Sequence, residues 1–211
     1  MSTYQTEEEQ VEAIKKWWKD NGKSVIGGIV LGFAVIGGWQ GWKLYQKNEG
    51  EAASSYFDAM RNSVRIGQID AAIEDGKRLI GDYGSTAYAS FAALELAKLS
   101  YDRGEKAAAR DQLHWVTESA PDPSIRELAR LRLGQLLLDM NELPALQALL
   151  GQPPLAAFAG EFSSLRGDLE RALGNQSAAR EAYQEALLKG VQDEGLLRMK
   201  LVDVGGVSPA S

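Results

Sequence analysis

Apolar and polar positions follow two different patterns along this chain of 211 residues. Residues 24–42 read SVIGGIVLGFAVIGGWQGW, a run without a charged side chain between Lys23 and Lys43. After residue 49, apolar residues recur at helical spacing in runs such as TAYASFAALELAKLSYDRG and SIRELARLRLGQLLLDMN, without an alternating strand pattern. The two patterns predict an all-α protein with one strongly apolar helix near its amino terminus.

The uncharged run has the length of a membrane-spanning helix. At about 1.5 Å per residue it extends roughly 28 Å, close to the ~30 Å hydrocarbon thickness of a lipid bilayer. A signal peptide has a shorter apolar region and a cleavage site of small residues. This run instead ends with Trp39 and Trp42, which suit the membrane interface. We predict a permanent transmembrane helix over 24–42, with a buried helix of a soluble core as the alternative.

Glycines inside the run form two pairs at small-xxx-small spacing, Gly28 with Gly32 and Gly37 with Gly41. Such pairs let two helix backbones approach closely in lipid. These four glycines are candidates for packing against another transmembrane helix. The alternative is that they only reflect the general abundance of glycine in membrane helices.

Positive charge differs between the two sides of the run. Four lysines precede it and two follow it closely: Lys15, Lys16, Lys19, Lys23, Lys43 and Lys47. Because lysine and arginine accumulate on the cytoplasmic side of membrane helices, the short amino-terminal segment is predicted to be cytoplasmic. Residues 49–211 would then lie across the membrane, in the periplasm of a Gram-negative bacterium.

The segment before the run, TEEEQVEAIKKWWKDNGK, predicts a short amphipathic helix that stops at Asn21 and Gly22. This helix fits the membrane surface, although its Trp17 and Trp18 could instead dock on a cytoplasmic protein. The predicted organisation has four parts: a cytoplasmic amphipathic segment over 1–23, the transmembrane helix over 24–42, a juxtamembrane linker over 43–54 and a periplasmic repeat domain over 55–211.

Four turn residues divide the carboxyl-terminal part into helix hairpins, at separations of 37, 37 and 33 residues: Gly67, Gly104, Asn141 and Gly174. In the second and fourth hairpins, packing residues follow the turn at +5, +9 and +12, as in tetratricopeptide repeats. The first and third copies are weaker, because Gly76 replaces a large packing residue and because Pro144 and GQPP disturb the third hairpin. We predict a tetratricopeptide-like domain, with a helical domain that lacks repeat geometry as the alternative.

In a tetratricopeptide stack, the first helix of each hairpin lines the concave face. The register of the four turns places seven residues there as a candidate partner-binding groove: Arg61, Arg65, Lys98, Tyr101, Gln135, Asp168 and Arg171. This mixed polar surface suits an extended peptide or a partner helix better than a small molecule. Tyr101 is the best single anchor candidate, because it combines a large apolar body with a polar tip.

The composition argues against several functions. The formal net charge of −6 argues against nucleic acid as a partner, because binding to phosphates needs a basic face. The chain has no cysteine, and His114 is its one histidine, so neither residue type offers a pair for a metal site or a catalytic triad. The sequence therefore predicts no enzyme and no cofactor.

The stretch EEEQVEAIKKWWKDNGKSVIGGIVLGFAVIGGWQGWK, followed by a tetratricopeptide-like domain, resembles the YfgM family of ancillary SecYEG translocon subunits. AYASFAALELAK and LRGDLERALGNQSAAREAYQEAL are similar to the family as well. The resemblance implies an inner-membrane protein whose periplasmic domain associates with the translocon and with a membrane-anchored prolyl-isomerase-like chaperone. It also implies help in passing exported client proteins to periplasmic chaperones, and a regulatory contact of the amino-terminal segment in the cytoplasm.

We therefore predict a protein-binding subunit that supports export at the inner membrane. The alternative is a membrane-tethered scaffold for envelope protein assembly that is unrelated to the translocon. The two differ in the complexes with which the protein would copurify from gently solubilised membranes.

Overall fold

The computed structural model describes residues 7–205, and all regular structure in this range is helical. It contains nine α-helices and a short 3-10 turn at Ala156–Phe158: α1 (Glu7–Arg65), α2 (Ile69–Asp82), α3 (Ala87–Asp102), α4 (Lys106–Ser119), α5 (Pro123–Asp139), α6 (Leu143–Leu150), α7 (Ala159–Ala172), α8 (Gln176–Lys189) and α9 (Glu194–Asp203). The all-α class is confirmed. The chain divides into two compact units, with the boundary between Glu49 and Gly50.

The first unit contains the amino-terminal part of α1. Among the described residues, α1 is the one helix long and apolar enough to cross a membrane, and none of its apolar window is buried by the chain. A core helix of a soluble protein would be covered by neighbouring elements. The exposure therefore favours the predicted transmembrane helix over the buried alternative.

The expected helix end at Asn21 and Gly22 is wrong, because α1 continues through both residues. The side-chain amide of Asn21 donates a hydrogen bond to the carbonyl of Trp17, one turn earlier in the same helix (3.1 Å). Gly22 is buried against the Trp18 indole, which would lie 3.3 Å from a Cβ placed on this glycine. The hydrogen bond of Asn21 and the packing of Trp18 on Gly22 both lie within the continuous helix, although Asn21 itself is exposed. Residues 43–54, predicted as a linker, are also part of α1.

All four predicted turn residues adopt the left-handed conformation, with φ of 78°, 78°, 57° and 83°: Gly67, Gly104, Asn141 and Gly174. After each turn residue, the next backbone N–H donates to the carbonyl five positions earlier, for example Glu105 to Ser100 at 2.8 Å. This bond is typical of a Schellman motif, which glycine and asparagine accommodate at low conformational cost. The predicted hairpin turns are confirmed.

Small or apolar residues at the +5 positions bring the two helices of each hairpin together. All four are at most 1% exposed: Ala72, Ala109, Leu146 and Ala179. Gly76 is also buried, and a Cβ there would lie 3.0 Å from the side chains of Leu96 and Met60. Side chains from α1 and α3 thus fill the space that a large residue at position 76 would occupy.

The third hairpin differs because α6 has eight residues, whereas α2, α4 and α8 each have fourteen. Pro144 lies in the first turn of α6, where a missing N–H is tolerated. Contrary to the expectation, it does not disturb the helix. The helix ends at the following GQPP. A carboxylate oxygen of Glu127 accepts hydrogen bonds from the Leu155 backbone (3.0 Å) and the Arg130 guanidinium (2.9 Å). This ion pair is largely buried and anchors the segment that follows α6.

Candidate functional site

Three cavities lie side by side along α5, and Gln135 lines all of them. The first, about 380 Å³, lies among α3, α4 and α5. The second and third, about 210 and 560 Å³, lie between α5 and the carboxyl-terminal helices. Arg132 lines the first and the third. We call these three cavities together the α5 groove.

The α3 end of the groove has an apolar floor and a charged rim. Leu94, Leu113 and Leu136 are buried beneath Lys98 and Tyr101, and Tyr101 is 46% exposed. This arrangement offers an apolar surface for a side chain beside groups that can bond to a peptide backbone.

Asp139, which lines the same cavity, forms a salt bridge with Lys106. The Asp139 carboxylate lies 2.8 Å from the Lys106 ammonium. Hydrogen bonding to Lys106 is the largest cause that holds the pKa of Asp139 below its usual range, and the Tyr101 side chain contributes less. The same contact raises the pKa of Lys106, so both groups stay charged near neutral pH.

At the other end of the groove, Asp168 is held by two contacts within the domain. Its carboxylate accepts a hydrogen bond from the Tyr183 hydroxyl (2.8 Å) and pairs with the Lys200 ammonium on α9 (2.7 Å). Its side chain is 12% exposed. Burial, and secondarily the charge of Asp168, raises the pKa of Tyr183, so its hydroxyl remains a donor at neutral pH. Asp168 therefore joins α7, α8 and α9.

The structure brings together four of the seven predicted groove residues. Lys98, Tyr101, Gln135 and Asp168 line the α5 groove, whereas the other three predicted residues do not. Those three are exposed on α1 and α7: Arg61, Arg65 and Arg171. The guanidinium of Arg61 lies 6.0 Å from the centre of the Phe57 ring, and that of Arg65 donates to the Asn62 side chain at 2.6 Å.

Sequence reasoning missed Arg132 and the exposed aromatic Phe91. Arg132 precedes the predicted Gln135 by three residues, so extending the register by one helical turn would have found it. Phe91 lies about three turns before Tyr101 on α3, is 41% exposed and contacts Phe57 with ring centres 6.1 Å apart. Both residues extend a register that the sequence already contained.

A fourth cavity, about 700 Å³, lies among α4, α5 and α6 and was not predicted. Its floor includes leucines, and its walls carry paired charges, such as Arg110 with Glu142 at 3.2 Å. His114 lines it, with Nδ1 3.6 Å from a Glu118 carboxylate oxygen. Over residues 7–205, no three histidine, aspartate or glutamate side chains are grouped so as to hold a metal ion. In the sequence, this cavity is indicated only by GQPP, the stretch that ends α6 early and contributes Gln152 to the lining.

The predicted packing glycines lie on two opposite sides of α1. At about 100° per residue, Gly37 follows Gly28 by roughly half a turn, and the members of each pair are about 40° apart. Over residues 7–205, no atom beyond the neighbouring residues and the adjacent backbone of α1 comes within 4 Å of a Cβ placed on any of the four: Gly28, Gly32, Gly37 and Gly41. Each pair thus presents an open surface, and helix packing at these surfaces stays a prediction.

The regions that match known proteins include both the apolar helix and the hairpins. Residues 15–206 match the family model of the tetratricopeptide repeat-like domain. A curated "Ancillary SecYEG translocon subunit" of Haemophilus influenzae is 30% identical over 196 residues, or 92% of this chain and 96% of the relative. Two further relatives have the same name. The one from Escherichia coli K12 is 27% identical, over 99% of this chain and 100% of the relative, and the one from Neisseria gonorrhoeae is 29% identical, over 95% and 98%. The chain therefore belongs to the tetratricopeptide repeat-like family of ancillary SecYEG translocon subunits, the YfgM family indicated by its sequence.

Proposed function

We propose that the chain is an ancillary subunit of the SecYEG translocon, anchored in the inner membrane by α1, with its repeat domain in the periplasm. The names of the relatives and their nearly complete coverage support the association. The four lysines before the span and the two after it support the orientation.

The α5 groove is the observation that carries the binding role. An extended chain presents backbone N–H and C=O groups together with alternating side chains. The Gln135 amide, which lines all three cavities, is both a donor and an acceptor, and the leucine floor accommodates apolar side chains. We propose that newly exported clients bind here and pass to periplasmic chaperones, among them a membrane-anchored prolyl-isomerase-like chaperone that associates with this domain.

Site-specific crosslinking in membranes tests the groove. A photoreactive side chain at Tyr101 or Gln135 should crosslink to an exported chain arrested in the translocon, whereas one at the exposed Arg65 should not. Replacing Tyr101 and Arg132 together with alanine should weaken capture and leave thermal unfolding nearly unchanged. Crosslinks from Arg65 alone, or full capture by the folded double variant, would place the binding site elsewhere.

Copurification tests the association with the translocon. Gently solubilised membranes should yield SecYEG subunits with the full-length protein. Recovery of only an unrelated envelope complex would favour the scaffold alternative.

Proteolysis tests the orientation. Protease added to right-side-out spheroplasts should digest the repeat domain, and protection of the domain until the inner membrane is lysed would reverse the proposed topology.

A further inference from the structure

The lysines before the transmembrane segment share one side of α1. At about 100° per residue, Lys15, Lys16, Lys19 and Lys23 fall within an arc of roughly 100°. All four are exposed, and α1 holds them in one unbroken helix with the apolar run. Asp20 borders the arc, so residues 15–23 carry a net charge of +3. We call these four residues the lysine face.

Trp17 and Trp18 lie outside the arc of the lysine face, and the direction of the Trp18 ring indicates the level of the membrane surface. Trp17 and Trp18 contact each other with ring centres 6.4 Å apart. The Trp18 indole lies against Gly22, one turn closer to the apolar run. Amphipathic indole rings favour the level of the lipid headgroups. The ring contact with Gly22 therefore places that level beside Lys23.

With the apolar run spanning the bilayer, the lysine face lies at the depth of the lipid phosphates. The headgroup region of each leaflet is roughly 5–8 Å thick beyond the hydrocarbon. At about 1.5 Å per residue, Lys19 lies about 6 Å outward from Lys23, and Lys15 about 12 Å outward. Lys19 and Lys23 thus lie within the headgroup region, while Lys15 and Lys16 lie just outside it, within about one Debye length of the surface. Glu12 lies on the same side but about one further turn out.

We propose that the lysine face binds the headgroups of anionic phospholipids. Lys15, Lys19 and Lys23 follow one another at i+4 spacing, so their ammonium groups form a row along the helix. Each ammonium offers three hydrogen-bond donors and a positive charge to a phosphodiester. Because the helix does not break at Asn21 and Gly22, the row has a fixed position relative to the span. Lipid in the surrounding bilayer is the ligand.

The preference for an anionic lipid can be measured on the full-length protein in phosphatidylcholine nanodiscs. Trace spin-labelled phosphatidylglycerol or spin-labelled phosphatidylcholine is added, and electron paramagnetic resonance gives the fraction of each lipid immobilised by the protein. We expect phosphatidylglycerol to be favoured by about fivefold or more, since one lysine near an anionic surface contributes about that factor. Replacing all four lysines of the lysine face with glutamine should abolish the preference, and replacing all four with arginine should retain it.

The matched control is the double variant Lys43→Gln and Lys47→Gln on the other flank, which should keep the preference. Circular dichroism of each variant checks that the helix and the domain remain folded. The proposal is overturned if the folded glutamine variant still favours phosphatidylglycerol, or if the control loses as much preference as that variant. Inorganic phosphate should compete no better than sodium chloride of equal ionic strength. Stronger competition by phosphate would assign the site to a soluble anion.

Discussion

Replacing Asp168 with alanine should destabilise the repeat domain by about 2–3 kcal/mol, although the sequence places this residue in a binding groove. Tyr183 is fully buried, and its hydroxyl donates to Asp168 at 2.8 Å. A buried hydroxyl left without an acceptor costs about 1–3 kcal/mol. Lys200 also loses its partner, but its side chain is 22% exposed and can turn to water, which adds at most about 1 kcal/mol.

Urea and thermal denaturation of the fragment 49–211, followed by circular dichroism, measure this loss. For a domain of this size, the expected fall in Tm is about 5–10 °C. The double-mutant cycle with Tyr183→Phe should give a coupling of about 1 kcal/mol or more, because the two side chains share a hydrogen bond. Arg171→Ala, an exposed change on the same helix, should stay within about 0.5 kcal/mol.

A different result would refute the structural role of Asp168. If Asp168→Ala unfolds at the same urea concentration as the wild type but captures clients poorly, the residue acts in binding, as its position in the repeat register predicts. A coupling near zero in the cycle would show that the Tyr183 hydroxyl does not depend on this carboxylate for stability.

Three further predictions address the domain. The fragment 49–211 should fold without the membrane helix, because the buried apolar clusters found within residues 7–205 all lie in it; weak helical circular dichroism of the purified fragment would contradict this. Gly167→Ala should lower stability by about 1–3 kcal/mol, since its Cβ would meet a buried tyrosine ring, whereas Gly81→Ala meets nothing within 4 Å; equal urea midpoints would refute the packing argument. Lys106 lowers the pKa of Asp139 from 3.8, so their salt bridge stabilises the fold above that pH, and this contribution is lost as the pH falls through the lowered pKa. Lys106→Met should therefore make the fall of the urea midpoint on the acid side shallower.

The sequence alone determined the features that depend on neighbouring residues. Gly104 and Gly174 adopt positive φ because glycine has no Cβ to clash, and the hairpin turns follow from that local property. Small residues five positions later let the paired helices approach, so the repeat period and the helical class were predictable. The length and lack of charge of residues 24–42 likewise indicated a helix able to span a bilayer.

Only the tertiary structure decided which register positions form a groove. Lys98 and Gln135 line the same cavity because α4 packs against both α3 and α5, although 37 residues separate them. Asp168 has the same register position as both, yet α9 supplies Lys200 to its carboxylate. The segment after α6 similarly depends on Glu127, which lies on α5. A repeat register specifies the direction of a side chain from its own helix, whereas cavities and buried polar contacts depend on the groups that distant segments bring to that position.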